Sequence, residues 1–370
     1  MEDSFFNELK LRVGYGEIGN INGLGDYQFL TRYQGSTDTA NYQFGNAFYQ
    51  TFRPEPINKD LRWEVGKTFN IGVDFALFSG RISGSVNAYM KQTNDLIASS
   101  IVDPFTNFGN RINANIGNME NRGIEFNINA SPIKTENLEW SVNYNISLND
   151  NKITKLSVDQ PQGGISTGVG NNVQVHREDE TANSFYVFQQ VYDTSGMPIE
   201  GVFVDRNSDN IINDDDKYIS EDPFGDVLMG FNSNVSYKNW DLSVQTRASF
   251  GNYMYNDTAA NKGVQVNATN NNILSNLHSD YFNSGFTIIS DKTALSDHFV
   301  QDASFFKIDN IAIGYTLDKL ENTTFRFYGS LQNVLTITDY DGLDPEISLG
   351  IDNNFYPRPR SFVLGININF

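Results

Sequence analysis

The stretch Trp140-Ser-Val-Asn-Tyr-Asn-Ile-Ser-Leu-Asn149 alternates apolar and polar side chains without interruption. The same period of two recurs at 69–77, 124–130 and 242–250. Successive residues of a β-strand point to opposite faces, so this pattern predicts strands with one apolar and one polar face. We find no convincing amphipathic helix, and a short helix is expected only around 271–282. The sequence therefore predicts an all-β fold.

The loops between these strands indicate which all-β fold it is. We predict ten strands, at about 8–17, 64–78, 82–97, 117–131, 138–152, 226–238, 240–255, 300–316, 324–336 and 359–370. Short turns at 79–81, 132–137, 238–239 and 318–323 alternate with long loops at 18–63, 98–116, 153–225, 256–299 and 337–358. This alternation is typical of an antiparallel transmembrane β-barrel in the outer membrane, with short periplasmic turns and long extracellular loops. The strands also exceed the roughly 5–6 residues usual in soluble sheets.

The composition excludes several classes of function. The 370 residues include 26 Lys and Arg against 45 Asp and Glu, a net charge of −19, which argues against a nucleic-acid partner. The chain has no cysteine, so disulfides, zinc-thiolate sites and thiol catalysis are excluded. Its three histidines, His176, His278 and His298, lack metal-ligand spacing, and no nucleophile motif occurs. We therefore expect no enzyme.

Aromatic residues make up 13% of the chain, which fits strands whose apolar face contacts lipid.

Aromatic residues near the strand ends give the barrel an orientation. Trp140 and Trp240 each follow a short turn, where a periplasmic aromatic girdle is expected; the alternative is that both fill a soluble core. The last strand is apolar at alternate positions and the sequence ends at Phe370. If Phe370 is periplasmic, counting strands backward places every long loop outside and every short turn inside.

One loop carries a specific chemical pattern. Within 153–225, the segment 205–216 has oxygen donors at the positions of an EF-hand calcium loop, with a backbone carbonyl at the seventh position. The predicted ligands are Asp205, Asn207, Asp209, Ile211, Asn213 and Asp216. Asn210 replaces the usual glycine and can adopt the left-handed conformation, and Asp216 is shorter than the usual glutamate. We expect a structural Ca²⁺ site in an extracellular loop; the alternative is a solvated turn.

The first long loop is rich in aromatic residues. These are Tyr27, Phe29, Tyr33, Tyr42, Phe44, Phe48, Tyr49 and Phe52. Packing within the loop or contact with a partner protein is favoured over direct contact with a ligand, because buried packing is the commonest role of such side chains.

Six ordered segments resemble the C-terminal part of the SusC/RagA-like TonB-dependent outer-membrane transporters. Leu9-Lys-Leu-Arg-Val-Gly-Tyr-Gly16 is similar to that family's LRxSYG strand, and Gly117-Asn-Met-Glu-Asn-Arg-Gly-Ile-Glu125 to its GxxxNKGxE strand. The other four segments are 58–72, 303–317, 331–346 and 356–370. Together the matches run almost from end to end.

The resemblance implies a function and partners. Family members import glycan oligomers or peptides through a barrel of 22 strands, powered by the TonB complex and assisted by a SusD-like surface lipoprotein. We count about ten strands and find no signal peptide, TonB box or plug in the sequence. We therefore expect a C-terminal fragment whose TonB contact lies in a missing N-terminal region. Two alternatives stay open: part of a TonB-dependent siderophore receptor, and a barrel or binding module that transports nothing.

Overall fold

A ten-stranded antiparallel sheet dominates the computed structural model. The structure describes residues 5–22, 24–28, 30–107, 109–168, 170–272, 274–288, 290–320, 323–353 and 356–370. Each strand pairs with its sequence neighbours in an up-and-down order. The strands are β1 Phe6–Asn20, β2 Glu64–Leu77, β3 Ile82–Ile101, β4 Arg111–Lys134, β5 Leu138–Leu156, β6 Val227–Tyr237, β7 Trp240–Phe250, β8 Phe305–Leu320, β9 Thr323–Thr338 and β10 Ser361–Asn369. All ten predicted strands are confirmed.

Two of the predicted strands are too long at their loop ends. The segments 240–255 and 300–316 were each expected to be continuous, but both are interrupted. Gly251 lies at φ +84°, a conformation that ends β7, and the chain then forms a separate short strand, Tyr253–Tyr255. That strand pairs with Val300–Asp302, which precedes β8. The alternation of side chains therefore continues beyond the barrel sheet into a small sheet of the loops.

The register of the sheet keeps apolar residues on one face. Ile146 of β5 lies opposite Phe126 of β4 and Met229 of β6. One residue along, Asn145 lies opposite Asn127 and Gly230. Because successive side chains point to opposite faces, each strand places its apolar residues on one face of the sheet and its polar residues on the other.

The barrel is not closed within the described residues. β1 and β10 occupy the two ends of the sheet, and each pairs with one neighbour only. No helix in the described ranges is long and apolar enough to cross a membrane.

The hydrophobic core of this chain lies in the long loops. The loops 157–226 and 251–304 share one buried cluster, whose largest members are Phe185, Phe188, Tyr255, Phe286 and Phe299. A four-stranded sheet supports it, made of Gln160–Gly164, Asn172–His176, Ser184–Val187 and Tyr218–Ile219. Further strand pairs are Gln190–Tyr192 with Pro198–Phe203, Tyr33–Gly35 with Phe52–Pro54, and Tyr42–Phe44 with Ala47–Tyr49. We call the two packed loops the outer loop domain.

Only short helices occur in the described residues. The α-helices are Pro104–Asn107, Asp257–Lys262, Tyr281–Ser284 and Asp291–Ala294. The 3-10 helices are Asp38–Ala40, Asp214–Asp216, Gln265–Asn272, Asp297–Phe299 and Ser348–Gly350. The prediction of a short helix around 271–282 is partly confirmed. The 3-10 helix Gln265–Asn272 ends in this range, and the α-helix Tyr281–Ser284 begins in it.

Candidate functional site

A row of side-chain amides crosses the polar face of the sheet. The register places one amide residue on each of six neighbouring strands, β4 to β9, directly opposite the next. The row consists of Asn129, Asn143, Asn232, Gln245, Asn310 and Gln332. Asn143 donates to Asn129 at 2.8 Å and Asn232 donates to Asn143 at 3.4 Å. The polar face therefore offers an uncharged hydrogen-bonding strip.

Arginine–carboxylate pairs flank this strip on the same face. Arg12 of β1 binds Asp74 of β2 through two hydrogen bonds of 2.7 Å, and it also donates to Asn87. Arg326 of β9 binds Asp241 of β7 at 3.0 and 2.6 Å. Because every one of these charges has an opposite partner, the polar face combines neutral amides with compensated charges.

A charge cluster with a buried centre joins the sheet to the last long loop. Lys307 of β8 lies 2.9 Å from Asp344 and 2.5 Å from Glu346, both in the loop 339–360. Arg247 of β7 binds both oxygens of Glu346, at 2.5 and 2.9 Å. Arg358 reaches Asp344 at 2.6 Å.

The cluster balances its charges. Asp309 of β8, which binds Arg247 at 2.8 Å, brings the total to three cations and three carboxylates. Such a set is favourable only when every charge is paired, since burial of a lone charge is costly. These roles are not predicted above. The available signal was that Arg247 and Lys307 place two cations on neighbouring strands, on the face that carries the amide row.

The predicted calcium ligands lie in one tight loop. Asp205 accepts hydrogen bonds from the N–H groups of Ser208, Asp209 and Asn210, at 2.7, 3.2 and 2.8 Å. Asp209 accepts from Ile211 at 2.7 Å. Asn210 has φ +64°, so it adopts the left-handed conformation expected of a residue in the glycine position.

Asp216 closes this loop from its far end. Its fully buried carboxylate accepts from the N–H groups of Arg206 at 2.8 Å and Asn213 at 2.9 Å. The Asn213 hydrogen bond lowers the pKa of Asp216, burial raises it in part, and bonds from Arg206 and Asn207 lower it further. The net pKa lies below the usual value, so the group is anionic at neutral pH.

The calcium site stays a prediction. Within the described ranges, no three His, Asp or Glu side chains are grouped so that they could hold a metal ion. Asp205, Asp209 and Asp216 bind backbone N–H groups instead. A carboxylate oxygen can accept more than one interaction, so the donor set is chemically suited to Ca²⁺.

Comparison with known proteins identifies the family. A family model described as "TonB dependent receptor-like, beta-barrel" matches residues 4–194, about half of the chain. The TonB-dependent receptor SusC of Bacteroides thetaiotaomicron is 42% identical over 98% of this chain. The chain belongs to the TonB-dependent receptor family. Its ten strands are therefore part of an outer-membrane barrel, and the polar face is the face that lines a barrel lumen.

Another receptor and a solved structure are also similar to this chain. The TonB-dependent receptor P3 of Formosa agariphila is 30% identical over 98% of the chain. A solved structure described as the RagAB peptide transporter has the same fold, with a TM-score of 0.76, 22% identity and full coverage of this chain. The chain spans 38% of SusC, 39% of P3 and 42% of the RagAB chain.

The aromatic residues of the receptor's first long loop are exposed rather than packed. Tyr33, Tyr42, Phe44, Phe48 and Phe52 are each between 59% and 69% exposed. Tyr27 and Tyr49 are also exposed, and Phe29 lies outside the described residues. Of the two roles favoured from the sequence, this exposure speaks against a core within the loop, and contact with a partner protein stays a prediction. More than half of the surface of each described side chain is therefore open to contact with groups outside the described residues.

Tryptophan placement at the turn ends follows the prediction. Trp240 begins β7 immediately after the turn 238–239, and its ring lies 4.8 Å from that of Tyr315. Trp140 lies on the same apolar face and donates to Ser233 at 3.0 Å. Both residues lie on the apolar face near the short turns, as an aromatic girdle requires.

Proposed function

We propose that this chain is part of an outer-membrane TonB-dependent importer of glycan oligomers or peptides. The observation that carries the proposal is the match of 98% of the chain to a TonB-dependent receptor at 42% identity. The amide row supports it, because side-chain amides can both donate and accept hydrogen bonds with a polar solute that crosses the lumen. Receptors of this family are not an enzyme class, and no catalytic role is proposed.

Deletion of the full-length gene that encodes this chain tests the import function. We expect the deletion strain to lose uptake of at least one labelled oligosaccharide or peptide from a panel, and a strain without TonB to lose the same uptake. The complemented strain is the control. Unchanged uptake of the whole panel would contradict the proposal, and loss of ferric-siderophore uptake alone would favour a siderophore receptor.

A SusD-like surface lipoprotein is the proposed partner. The exposed aromatic side chains of the first long loop support an extracellular protein contact, because clustered exposed apolar residues mark interaction sites. The double variant Tyr42→Ala, Phe48→Ala in the full-length receptor should reduce co-purification of the lipoprotein. Phe78→Ala is the matched control, since Phe78 is 56% exposed but lies in a short turn on the opposite side of the membrane. Equal loss in both variants would argue against the contact.

A structural Ca²⁺ in the segment 205–216 is also proposed. Its support is the position of the oxygen donors and the left-handed conformation of Asn210. The ion would be held by Asp205, Asn207, Asp209, Asn213 and Asp216 with the carbonyl of Ile211, and its role would be to keep an extracellular loop ordered.

A further inference from the structure

A groove of about 520 Å³ lies on the apolar face of the sheet, close to the short turn 238–239. Side chains of β7 to β10 form its walls, and none of the described residues that line it is charged. The side chains on the apolar face are those of Trp240, Ile313, Tyr315, Phe327, Leu364 and Ile366. Because this face of an outer-membrane barrel contacts lipid, the groove opens into the periplasmic leaflet of the membrane.

The groove exists because Gly329 of β9 has no side chain. Ile313 of β8 and Leu364 of β10 lie directly opposite Gly329 and point to the same face. A β-carbon built at Gly329 would meet only Leu364 Cδ2, at 3.4 Å, which is an ordinary contact. The position therefore has room for a side chain that the sequence does not supply. Glycine inside a strand weakens the strand, and it often marks a place where a ligand approaches closely.

Two aromatic rings close the periplasmic end of the groove. Trp240 begins β7 directly after the turn, and its ring centre lies 4.8 Å from that of Tyr315. Gly329 pairs with Ile313, two residues before Tyr315, so the gap at Gly329 lies about 7 Å further along the strands, towards the middle of the membrane. Tryptophan and tyrosine favour the level of the lipid headgroups, and the apolar gap lies at the level of the acyl chains.

Lys238 places a positive charge at the same end of this face. Its ammonium lies 5.5 Å from the centre of the Tyr237 ring, and Tyr237 lies directly opposite Trp240. Lys238 is exposed and has no carboxylate partner among the residues that the structure describes. A lysine at the membrane interface keeps its charged end at the headgroup level, where a lipid phosphate is the complementary group.

We propose that this groove is a binding site for one glycerophospholipid of the periplasmic leaflet. An acyl chain fills the gap at Gly329, the glycerol esters lie beside Trp240 and Tyr315, and the phosphate accepts a hydrogen bond from Lys238. A peptide segment suits the groove less, because Ile313 and Leu364 offer no partner to backbone N–H and C=O groups at membrane depth. The inference rests on the position of the barrel in the membrane and is independent of the proposed import function.

Native mass spectrometry of the delipidated full-length receptor in detergent tests the proposal. The probes are dioleoylphosphatidylethanolamine, dioleoylglycerol, which lacks the phosphate, and inorganic phosphate, which lacks the acyl chains. We expect the phospholipid to bind about tenfold more tightly than the diacylglycerol, and inorganic phosphate not to bind. Gly329→Leu should weaken phospholipid binding by about tenfold or more, because the new side chain occupies the space of the acyl chain. Ala130→Leu is the matched control, since it enlarges a small residue of the same face on β4, outside the groove.

A second pair of variants tests the charge. Lys238→Gln should remove most of the preference for the phospholipid over the diacylglycerol. Lys134→Gln is its control, because Lys134 lies next to another short turn but on the polar face, opposite Glu139. Heat-dependent migration in gels shows that each variant keeps its barrel, and Lys238→Gln changes only an exposed turn, so it tests the site even if Gly329→Leu does not insert.

Three results would overturn the proposal. The first is equal phospholipid affinity of the unaltered receptor and a folded Gly329→Leu variant. The second is an unchanged preference for the phospholipid in Lys238→Gln, and the third is the absence of phospholipid binding by the unaltered receptor.

Discussion

Lys307 and Asp344 form an ion pair in which each side chain is only 4% exposed, with Nζ 2.9 Å from Oδ1. Lys307 belongs to a barrel strand, whereas Asp344 lies in the loop 339–360. Glu346 shares the same ammonium group at 2.5 Å. The pair therefore fixes an extracellular loop to the mouth of the barrel.

Removal of Lys307 should release that loop. Lys307→Ala leaves Asp344 and Glu346 with only Arg358 and Arg247 as cations, so we expect a cost below the about 3–5 kcal/mol of leaving a buried charge without any partner. We expect faster cleavage of 339–360 by subtilisin in the full-length receptor. Arg32→Ala is the control, because the Arg32–Glu55 pair is largely exposed and contributes less than about 1 kcal/mol. Equal cleavage of both variants would mean that the buried pair does not hold the loop.

Calcium should bind the segment 205–216 and saturate it at millimolar concentration, because extracellular Ca²⁺ sites have dissociation constants of about 10⁻⁴–10⁻³ M. Asp205→Ala should remove this binding, since it deletes the first ligand of the loop. Asp193→Ala is a matched control, because Asp193 also accepts backbone N–H groups in a turn of the outer loop domain but is not a predicted ligand. Calorimetric titration of the full-length receptor measures both, and an absence of Ca²⁺ binding at millimolar concentration would contradict the site.

Alkaline pH should destabilise the outer loop domain through Tyr218. The pKa of Tyr218 is raised to about 12, mainly by burial. The hydrogen bond with Ser220 opposes this shift, and Asp297, which accepts from the Tyr218 hydroxyl at 2.7 Å, adds to it. The folded pKa lies above the ordinary value of 10, so the stabilisation is complete below pH 10 and is lost as the pH rises through about 12.

A spectroscopic titration of tyrosine ionisation checks this behaviour. The Tyr218→Phe variant should lack one late-ionising tyrosine. The stability of its outer loop domain should also change less between pH 10 and pH 12. Tyr42→Phe is the control, because Tyr42 is exposed in a different loop and should leave the alkaline transition unchanged. An identical titration curve for the unaltered receptor and Tyr218→Phe would disprove the assignment.

The strands could be predicted because each one carries its own signal. Trp140, Val142 and Tyr144 alternate with polar residues, and this local pattern is enough to locate β5. The same signal misled at the strand ends: Tyr253 and Tyr255 continue the alternation of β7 although the turn at Gly251 has already directed the chain into the loops. An alternation with a period of two indicates an extended backbone, but it does not indicate which sheet the strand joins.

Contacts between distant loops leave no such local signal. Lys307 lies 37 residues from Asp344 and 39 from Glu346, and Arg247 lies 99 residues from Glu346. The buried cluster that contains Phe185 and Phe299 depends in the same way on how two long loops meet. The segment 205–216 is the exception, because its donors are spaced within one short loop, and the left-handed conformation that its spacing allows for Asn210 is the one the structure has.

The open sheet should prevent residues 1–370 alone from forming a pore. Among the described residues, β1 and β10 each have one edge without a partner strand, and unpaired backbone N–H and C=O groups cost several kcal/mol each in the hydrocarbon core. We expect the isolated polypeptide, refolded into liposomes, to migrate identically in gels with and without heating and to give no ion conductance. A full-length receptor whose further strands pair with both edges should show heat-dependent migration under the same conditions. Heat-dependent migration together with conductance from residues 1–370 would show that the ten strands can close on themselves.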